Sequence, residues 1–417
     1  MKRLFRLSLS LGSLLLLGTL SACAQHQTKP TAQQRVTVTF WHGTSGASEQ
    51  TLNQMIKDFN HSQSTYKVVG SSQGDFANVQ QKITAAAKSH TLPTMAQTTY
   101  TNVPNYVRGG FVTPLDPYLS KQTVSKIAPN FKAATQYQGK TYALPFSKSI
   151  RVLYYNRDLL KQNNIQVPQT WAAVAKAGKK VRAQGITGLA LDQSLSSEID
   201  SLAQAAGTPL YQRRPQLTNS KIVGATHIIY DMLQAKTATT AGTNGFGNVN
   251  FLKGKTLFYS GSSAALGIMQ TSTPKGLHWE TAPQPSYQGK RRPAIAGNDL
   301  VLFQSASKDQ RKGAVAFMQF LLAKKQTLKW VKATGYLPLT TAALKSQNYQ
   351  AYLRRHPLAR AADQSLPDGF MDPTLVGYTQ YQADVNQMLS QLSSGETTPE
   401  KGLAKLQQQV STMLADQ

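Results

Sequence analysis

Apolar residues recur with two alternating periods along the first part of the chain. Val36, Val38 and Phe40 alternate with polar residues, which predicts a strand. The next segment has the i, i+3, i+4, i+7 stripe of an amphipathic helix, formed by Leu52, Met55, Ile56 and Phe59. It is followed by a strand at "YKVVG", by a helix with Val79, Ile83 and Ala86 on one side, and by a strand at "TMAQTT". This β-α-β-α-β order predicts an α/β sheet covered by helices on both faces.

The same alternation starts again near the middle of the chain. The run "IRVLYY" at residues 150–155 predicts a new strand, and Thr170 is a good N-cap for a helix that runs to about Gln184. The strand "ITGLAL" follows that helix. A later helix is indicated by Ala314, Phe317, Met318, Leu321 and Leu322. Thr398-Pro399-Glu400 predicts the start of the last helix, because proline fits the first helical position and glutamate favours the positive end of the helix dipole.

The N-terminus has the three-part plan of a secretory signal peptide. Lys2, Arg3 and Arg6 precede an apolar run at residues 7–20, which is short for a membrane-spanning helix and ends in small residues. Cys23 is the only cysteine of the chain, so no disulfide can form within it. "LSAC" at residues 20–23 resembles the bacterial lipobox, and the alternative is an ordinary signal peptide followed by a chance cysteine. We expect a signal peptide at residues 1–22, lipidation of Cys23 and a flexible tether at residues 23–35.

The length of the chain predicts its number of lobes, and its charge narrows the class of partner. About 380 residues remain for the folded body, more than one hydrophobic core usually serves, so two lobes are expected. The formal net charge is +26, and three of those charges lie in the leader. The lysines and arginines are spread along the chain without basic blocks, and export argues against nucleic acid as a partner. A basic surface adapted to an anionic cell envelope is the simpler interpretation.

Enzymatic motifs are absent or incomplete. "GKT" at residues 254–256 lacks the earlier glycine of a phosphate loop, and "GSSAA" at residues 261–265 only half matches a nucleophile elbow. The seven histidines do not fall at metal-ligand spacing. Asp192, Glu198 and Asp200 are interpreted as ordinary residues at helix starts, although two carboxylates can always meet in space, so a glycosidase stays open. We predict no catalytic residue, cofactor or metal.

Polar and aromatic residues cluster where elements end. The segments are "FWHG", Phe76 after "QGD", Tyr100, "FSKS", "YSGSS" and "TGYLP". Each alone is explained as a turn or a half-buried aromatic residue. Ligands of open α/β sheets bind outside the carboxyl ends of strands, so the recurrence of such segments predicts a binding cleft between lobes.

Several of these segments carry a family resemblance. "VTFWHG", "IKDFN", "LPFSKSIRVLYYNRDLL", "PQTWAAV", "GKTLFYSGSSAALG", "TGYLPLTTAAL" and "TPEKGLAKL" resemble, in this order, the family 1 extracellular solute-binding proteins of ABC importers, and among them the glycerol-phosphate binders. The resemblance implies a periplasmic-binding-protein-like type II fold, with two α/β lobes, hinge strands and a cleft that closes on the ligand. It implies a first lobe at 36–145 plus about 292–345, and a second at 146–291 plus about 346–417.

The resemblance also implies ligand contacts. Four positions agree with the family pattern, namely Ser149, Ser262, Gly297 and Tyr336. Three depart from it: Phe76 stands for a tyrosine, Tyr100 for an acidic residue and Gln382 for an arginine. Lys148 and Arg151 flank Ser149 and are candidates to replace the arginine's charge. Trp41 and His42 of "FWHG" complete the expected site.

The implied function is capture of a small polar ligand for an ABC permease. Glycerol-3-phosphate or a glycerophosphodiester is the first expectation, and a sugar or oligosaccharide is the alternative. A basic surface adhesin of the same fold is a rival class, which would bind envelope polymers in a strongly salt-dependent way. We expect a lipid-anchored monomer on the extracellular face of the cytoplasmic membrane of a Gram-positive bacterium, with no nucleic-acid partner.

Overall fold

The structure, a computed structural model, describes residues 34–415. The strands in this part are β1 (Val36–His42), β2 (Tyr66–Ser72), β3 (Met95–Thr98), β4 (Gln136–Tyr137), β5 (Lys140–Thr141), β6 (Ala143–Asn156), β7 (Thr187–Leu191), β8 (Ala238–Thr240), β9 (Thr256–Ser262), β10 (Trp279–Pro283) and β11 (Ile295–Leu302). The helices are α1 (Gly46–Ser62), α2 (Phe76–Ser89), α3 (Val103–Arg108), α4 (Lys121–Ser125), α5 (Pro129–Lys132), α6 (Arg157–Gln162), α7 (Trp171–Val181), α8 (Ser196–Ala205), α9 (Ser220–Gln234), α10 (Asn248–Leu252), α11 (Leu266–Ser272), α12 (Lys308–Leu322), α13 (Lys324–Thr334), α14 (Thr341–Leu344), α15 (Gln347–Arg355), α16 (Arg360–Ser365), α17 (Tyr378–Ser394) and α18 (Pro399–Ala415).

The predicted β-α-β-α-β segment is confirmed as β1, α1, β2, α2 and β3. Both helical stripes are buried: Leu52, Met55, Ile56 and Phe59 in α1, and Val79, Ile83 and Ala86 in α2. The hydroxyl of Thr170 caps α7 by accepting the Ala173 N–H at 3.1 Å, and Pro399 is the first residue of α18. Local rules therefore place these elements correctly, because each apolar stripe has a core to pack against.

One sheet runs through the described part of the chain in the order β2-β1-β3-β11-β6-β9-β7-β8, and β10 also pairs with β6. β1 is parallel to β2 and β3, and β7 is parallel to β8 and β9. β11 is antiparallel to both β3 and β6, and β9 is antiparallel to β6. Strand β6 therefore joins the two parallel halves of the sheet.

The start of β6 differs from the prediction. The sequence predicts a strand from residue 150 and a turn at "FSKS", but the strand begins at Ala143 and runs through all of residues 146–149. Every residue of β6 is buried, including Lys148. The polar segment stays extended because its backbone pairs with β11 and because the Lys148 ammonium has a carboxylate partner, described below. Neither compensation can be read from local sequence.

Two large apolar clusters pack against the sheet, and the first crosses from one half to the other through Tyr154 of β6 and Tyr259 of β9. One packs β1, β2, β3 and the first part of β6 against α1, α12 and α13, and includes Phe40, Phe59, Phe317 and Trp330. The other packs β7 and β9 against α7, α8, α9, α17 and α18, and includes Trp171, Phe258 and Tyr381. Among residues 34–415 no helix is long and apolar enough to cross a membrane. The predicted signal peptide and Cys23 lie outside the described residues.

Candidate functional site

The four residues that match the family pattern lie at or next to the midpoint of β6. Up to Ile150 the strand pairs with β11, and from Arg151 onward it pairs with β9. Ser149 lies at this change of partner, opposite Ala296 and beside the Lys148–Gly297 pair, and Ser262 lies opposite Arg151. Ser149 is buried, whereas Ser262 and Gly297 are half-buried.

The segment after α13 reaches the same point. The N–H of Leu337, next to Tyr336, donates to the carbonyl oxygen of Lys148 at 2.7 Å. The Tyr336 ring is stacked on the Trp330 ring with centroids 6.1 Å apart, and Trp330 Nε1 donates to Ser147 Oγ at 3.2 Å. Tyr336 is half-buried and lines a small cavity with Tyr154, and burial raises the pKa of its hydroxyl. It is thus both packed on the core and open to a cavity.

Gly297 brings β11 unusually close to β6. Its φ of +123° is one that only glycine adopts readily, and a Cβ there would overlap the carbonyl oxygen of Ser147. The pairing register shifts between Asn298 and Asp299, as in a β-bulge. Bulges redirect side chains, and here the Asp299 carboxylate meets Lys148 rather than following the regular alternation.

Lys148 and Asp299 form an ion pair with no solvent exposure. Their Nζ and Oδ2 atoms are 2.7 Å apart, and Oδ2 also accepts the N–H of Tyr100 at 3.1 Å. The Lys148 Nζ lies 5.0 Å from the centroid of the Tyr100 ring. Burial raises the pKa of Asp299 and lowers that of Lys148, and in each case the partner's charge opposes the shift. Asp299 Oδ1 is buried and has no hydrogen-bond partner in the described part of the chain.

A second acidic group also acts on Tyr100. The hydroxyl of Tyr378 donates to the Asp372 carboxylate, and Gln382 Nε2 is 3.4 Å from that hydroxyl. Asp372 lies within hydrogen-bonding reach of Asp200, whose Oδ1 accepts the Leu210 N–H at 2.7 Å. Burial raises the pKa of both carboxyls, and the charge of Asp372 raises that of Asp200 further.

Tyr100 connects the two groups. Burial raises the pKa of its hydroxyl, and the charges of Asp372 and Asp299 add to the shift. We refer to Tyr100, Lys148, Asp200, Tyr211, Asp299, Asp372, Tyr378 and Gln382 as the polar cluster. Its members are buried except Asp372 and Gln382, which are half-buried and form its more open side.

Arg151 belongs to a separate buried ion network. Its guanidinium donates to Asp192 Oδ2 at 2.7 Å, to the Glu198 carboxylate and to the Ser260 carbonyl oxygen at 3.0 Å. Burial alone would lower the pKa of Arg151, but the charges of Glu198 and Asp192 outweigh it and raise the pKa. Glu198 does lie in the first turn of α8, as predicted, but Asp192, Glu198 and Asp200 are all buried by tertiary packing and are therefore not ordinary helix-start residues. Arg151 and Lys148 are each bound by carboxylates, so neither carries the uncompensated charge of the missing arginine.

Trp41, His42 and Phe76 form a different group at the carboxyl end of β1. His42 is buried, which lowers its pKa, and no described residue forms a hydrogen bond with its Nδ1. The exposed Phe76 begins α2 and lies against Gly43, whose N–H donates to Gln97 Oε1 at 3.0 Å. β3 ends two residues before Tyr100, so this group and the polar cluster share one edge of the sheet. The hydrogen bonds and ring contacts of the described residues do not join them directly.

Sequence reasoning missed most acids and tyrosines of the polar cluster. Asp299 stands between Gly297 and the apolar run of β11, an unusual place for a charge and the one usable signal. Asp372, Tyr211 and Tyr378 lie in segments without a periodic pattern that distinguishes them. Their proximity to Tyr100 depends on chain crossings that local sequence does not encode.

Residues 54–356 match the family described as bacterial extracellular solute-binding protein. The sn-glycerol-3-phosphate-binding periplasmic protein UgpB of Brucella melitensis is 26% identical over 345 residues, which cover 76% of this chain and 78% of that protein. UgpB of Rhizobium meliloti is 24% identical over 405 residues, covering 90% and 93%.

Solved structures show the same fold. UgpB of Mycobacterium tuberculosis, in complex with glycerophosphocholine, superposes with a TM-score of 0.83 at 20% identity, covering 92% of this chain and 99% of that one. The cyclic α-maltosyl-1,6-maltose-binding protein of Arthrobacter globiformis gives a TM-score of 0.81 at 21% identity, covering 92% and 100%.

Proposed function

The chain belongs to the family of bacterial extracellular solute-binding proteins, and from that premise we propose that it captures a glycerophosphodiester and delivers it to the permease of an ABC importer. The fold is the type II periplasmic-binding-protein fold, and the family supplies small polar ligands to ABC transporters without catalysing a reaction. What is proposed here is the ligand, its site and the anchoring of the protein.

The observation that carries the proposal is the polar cluster. It presents three buried oxygens, Asp200 Oδ2, Asp299 Oδ1 and the Tyr211 hydroxyl, that have no hydrogen-bond partner among residues 34–415. Unsatisfied buried acceptors cost stability, so their persistence in a site is typical of groups that await a ligand. A solute with several hydroxyl groups supplies the donors that these oxygens lack.

The charges of the cluster favour a diester over glycerol-3-phosphate. Three carboxyl groups face a single ammonium, that of Lys148, which is already paired with Asp299. A phosphate monoester carries between one and two negative charges near neutral pH, whereas a diester carries one, and each additional anion near these carboxylates is unfavourable. Gln382 in place of the family arginine removes a charge-assisted hydrogen bond, which typically contributes about 1.5–3 kcal/mol.

A sugar is the second candidate ligand. Carboxylates accept hydrogen bonds from sugar hydroxyls and aromatic rings pack on sugar faces, and the cluster supplies both types of group. The maltose-type ligands of several structural neighbours favour the same alternative. Such a ligand needs no charged partner in the protein.

We assign the remaining contacts and the lobes on the same basis. The proposed hinge is the midpoint of β6 with its change of partner, so the lobes are residues 36–145 plus about 292–345 and 146–291 plus about 346–417. Ser149, Ser262, Gly297 and Tyr336 then line the base of the cleft. Trp41, His42 and Phe76 lie at its outer edge on the first lobe.

Thermal unfolding of the mature chain in a ligand panel tests the proposal. The panel contains glycerophosphoglycerol, glycerophosphocholine, glycerol-3-phosphate and maltose. A ligand at 100 times its Kd stabilises the folded state by about 2.7 kcal/mol, and we expect this for a diester. Stabilisation by maltose alone would select the sugar alternative. No stabilisation by any compound, together with salt-dependent binding to anionic wall polymer, would support the adhesin instead.

We further propose that Cys23 anchors the protein to the outer face of the cytoplasmic membrane. The "LSAC" segment supports this, and an anchor holds a receptor near its permease at high effective concentration. Intact-mass analysis of the native protein should show a lipid on an N-terminal Cys23. A mature N-terminus without lipid would contradict the anchor and leave ligand capture untouched.

A further inference from the structure

Three consecutive cations, residues 290–292, follow a tight turn between β10 and β11. The N–H of Tyr287 donates to the carbonyl oxygen of Lys290 at 2.9 Å, and the N–H of Lys290 donates to the carbonyl oxygen of Tyr287 at 3.0 Å. Gln288 and Gly289, which lie between them, have φ of +48° and +76°, as in a type I′ turn. The turn therefore fixes the backbone at the first of the three cations.

Hydrogen bonds to the start of α7 fix this turn and the side chain of Arg291. The N–H of Ser286 donates to the carbonyl oxygen of Gln169 at 2.9 Å, and the N–H of Trp171 donates to the carbonyl oxygen of Ser286 at 3.0 Å. Arg291 Nη2 donates to Gln169 Oε1 at 2.7 Å. The guanidinium is therefore held in one orientation before any partner binds.

The three cations line a surface pocket of about 490 Å³. We refer to its lining residues as the basic pocket, namely Gln169, Ser286, Gly289, Lys290, Arg291, Arg292 and Asp368. Lys290 and Arg292 are exposed and Arg291 is half-buried, so the pocket opens to solvent.

The positive charge of the basic pocket is not compensated by ion pairs. None of its three cations has a nitrogen within 4.0 Å of a carboxylate oxygen among residues 34–415. Asp368 is the single acidic residue of the lining. In the described part of the chain, the Arg291 guanidinium donates only through Nη2, and its buried Nε has no partner. A guanidinium with free donors beside further cations is suited to the oxygens of a phosphate group.

The surroundings favour a phosphate in a polymer over a lipid head group or a small solute. The large exposed apolar side chains of the described residues are Val69, Phe76, Phe246, Val249 and Ile268. None of them lines the basic pocket, whereas a protein surface that lies on lipid usually inserts apolar side chains. A site for a small solute encloses most of the ligand, and this pocket is open. An extracellular protein also meets the polymers of the cell envelope.

We propose that the basic pocket binds a phosphodiester group within an anionic polymer of the cell envelope. Arg291 donates to the phosphate oxygens through the nitrogens that Gln169 leaves free, and Lys290 and Arg292 attract the neighbouring charges of the polymer. Asp368 weakens this attraction, which keeps the contact reversible. The basic pocket shares no residue with the polar cluster, so this contact accompanies solute capture and keeps the receptor within the envelope.

Fluorescence anisotropy of the mature chain with a labelled oligomer tests the proposal. The probe is a short chain of phosphodiesters that link tetrahydrofuran spacers, and it contains neither a base nor the glycerol of the solute proposed for the cleft. We expect Arg291→Gln combined with Arg292→Gln to weaken binding at least tenfold at low salt. The slope of log K against log salt should fall by about 1.4, because each lost phosphate contact with a single strand lowers it by about 0.7.

Arg213→Gln combined with Arg214→Gln is the matched control. Both arginines are exposed and precede a proline, as Arg291 and Arg292 do, but they do not line the basic pocket. This control should keep the affinity for the oligomer within threefold. Equal weakening by both double variants would show attraction by the general surface charge and overturn the site. Failure of the unmodified chain to bind the oligomer would overturn it as well.

Single variants test the role of the guanidinium. Arg291→Lys keeps the charge but loses the planar donor group, so it should weaken binding at least threefold, and unchanged affinity would contradict the proposed phosphate contact. Arg292→Gln alters one exposed side chain, should also weaken binding at least threefold, and decides the matter if the double variant fails to fold.

Sedimentation with phosphatidylglycerol vesicles separates the polymer from a lipid surface. We expect Arg291→Gln combined with Arg292→Gln to leave vesicle binding within threefold of the unmodified chain. Vesicle binding that depends on these two arginines, in a chain that does not bind the oligomer, would assign the basic pocket to lipid and overturn the proposal.

Discussion

Gly297 has a conformation and surroundings that exclude any side chain. Its φ of +123° is strained for other residues, and a Cβ would overlap the Ser147 carbonyl oxygen, a backbone atom that cannot rotate away. The close approach holds β11 against β6 immediately before the bulge that directs Asp299 toward Lys148. One glycine thus determines both the packing at the centre of the sheet and the geometry of the polar cluster.

We expect Gly297→Ala to destabilise the protein by about 3 kcal/mol or more, since backbone strain and overlap each cost about 1–3 kcal/mol. Gly139→Ala is the matched control, because Gly139 has φ +75° but no atom within 4 Å of a Cβ. The control variant should lose only the stability that backbone strain costs, about 1–2 kcal/mol. Urea denaturation measures both losses. Equal losses would show that the contact with Ser147 is relieved without cost.

At the scale of elements, His227 joins α9 to the start of α18. Its Nε2 lies 2.8 Å from Glu400 Oε1, and its Nδ1 lies 3.1 Å from Asp231 Oδ1. The Glu400 carboxylate raises the pKa of His227, with Asp231 contributing, and the hydrogen bond from His227 lowers the pKa of Glu400 to about 2. The contact is strongest where the histidine is charged and the glutamate ionised.

The two shifts define a pH window for this contact. The ionised Glu400 stabilises the folded state above its unfolded pKa of about 4.3, and this stabilisation is lost as the pH falls toward 2. The charged His227 stabilises the folded state fully below about pH 6.5, and this stabilisation is lost as the pH rises through the raised pKa of His227. The Tm difference between the unmodified chain and Glu400→Gln should therefore be widest between about pH 4.5 and 6.5. Asp309→Asn, which removes a carboxylate paired with a lysine, Lys312, rather than with a histidine, should give a constant difference from pH 6 to 8. A Glu400→Gln difference that is also constant over that range would contradict the histidine's role.

Helices and strands could be predicted from the sequence where a single apolar stripe packs on a single hydrophobic core. The stripe from Leu52 to Phe59 and the Thr170 cap depend on residues close in sequence, so the spacing alone was sufficient. The first half of β6 was not predictable, because Lys148 is stable in a buried strand only with Asp299, 151 residues away. The residues of the candidate site likewise include some that the sequence indicates and some that only the tertiary structure brings together. Resemblance supplied Ser149, Ser262, Gly297 and Tyr336, whereas Asp200 and Asp372 meet through tertiary structure alone.

At the scale of the whole molecule, contacts join the segment after β3 to the start of α17. Thr379 Oγ1 donates to Asn102 Oδ1 at 3.0 Å, and the Gly377 N–H donates to Asn105 Oδ1 at 3.1 Å. In the proposed division these residues belong to different lobes, next to the polar cluster. The contacts then describe a closed arrangement, which a ligand bound to both sides stabilises.

Small-angle X-ray scattering of the mature chain tests this account most directly. We expect the ligand-free chain to open at the β6 midpoint and a saturating diester, confirmed by calorimetry, to lower the radius of gyration. Asn102→Ala removes one closing contact without changing a charge, and it should raise the ligand concentration needed for the change. Identical scattering curves with and without saturating ligand would contradict a cleft that closes on its solute.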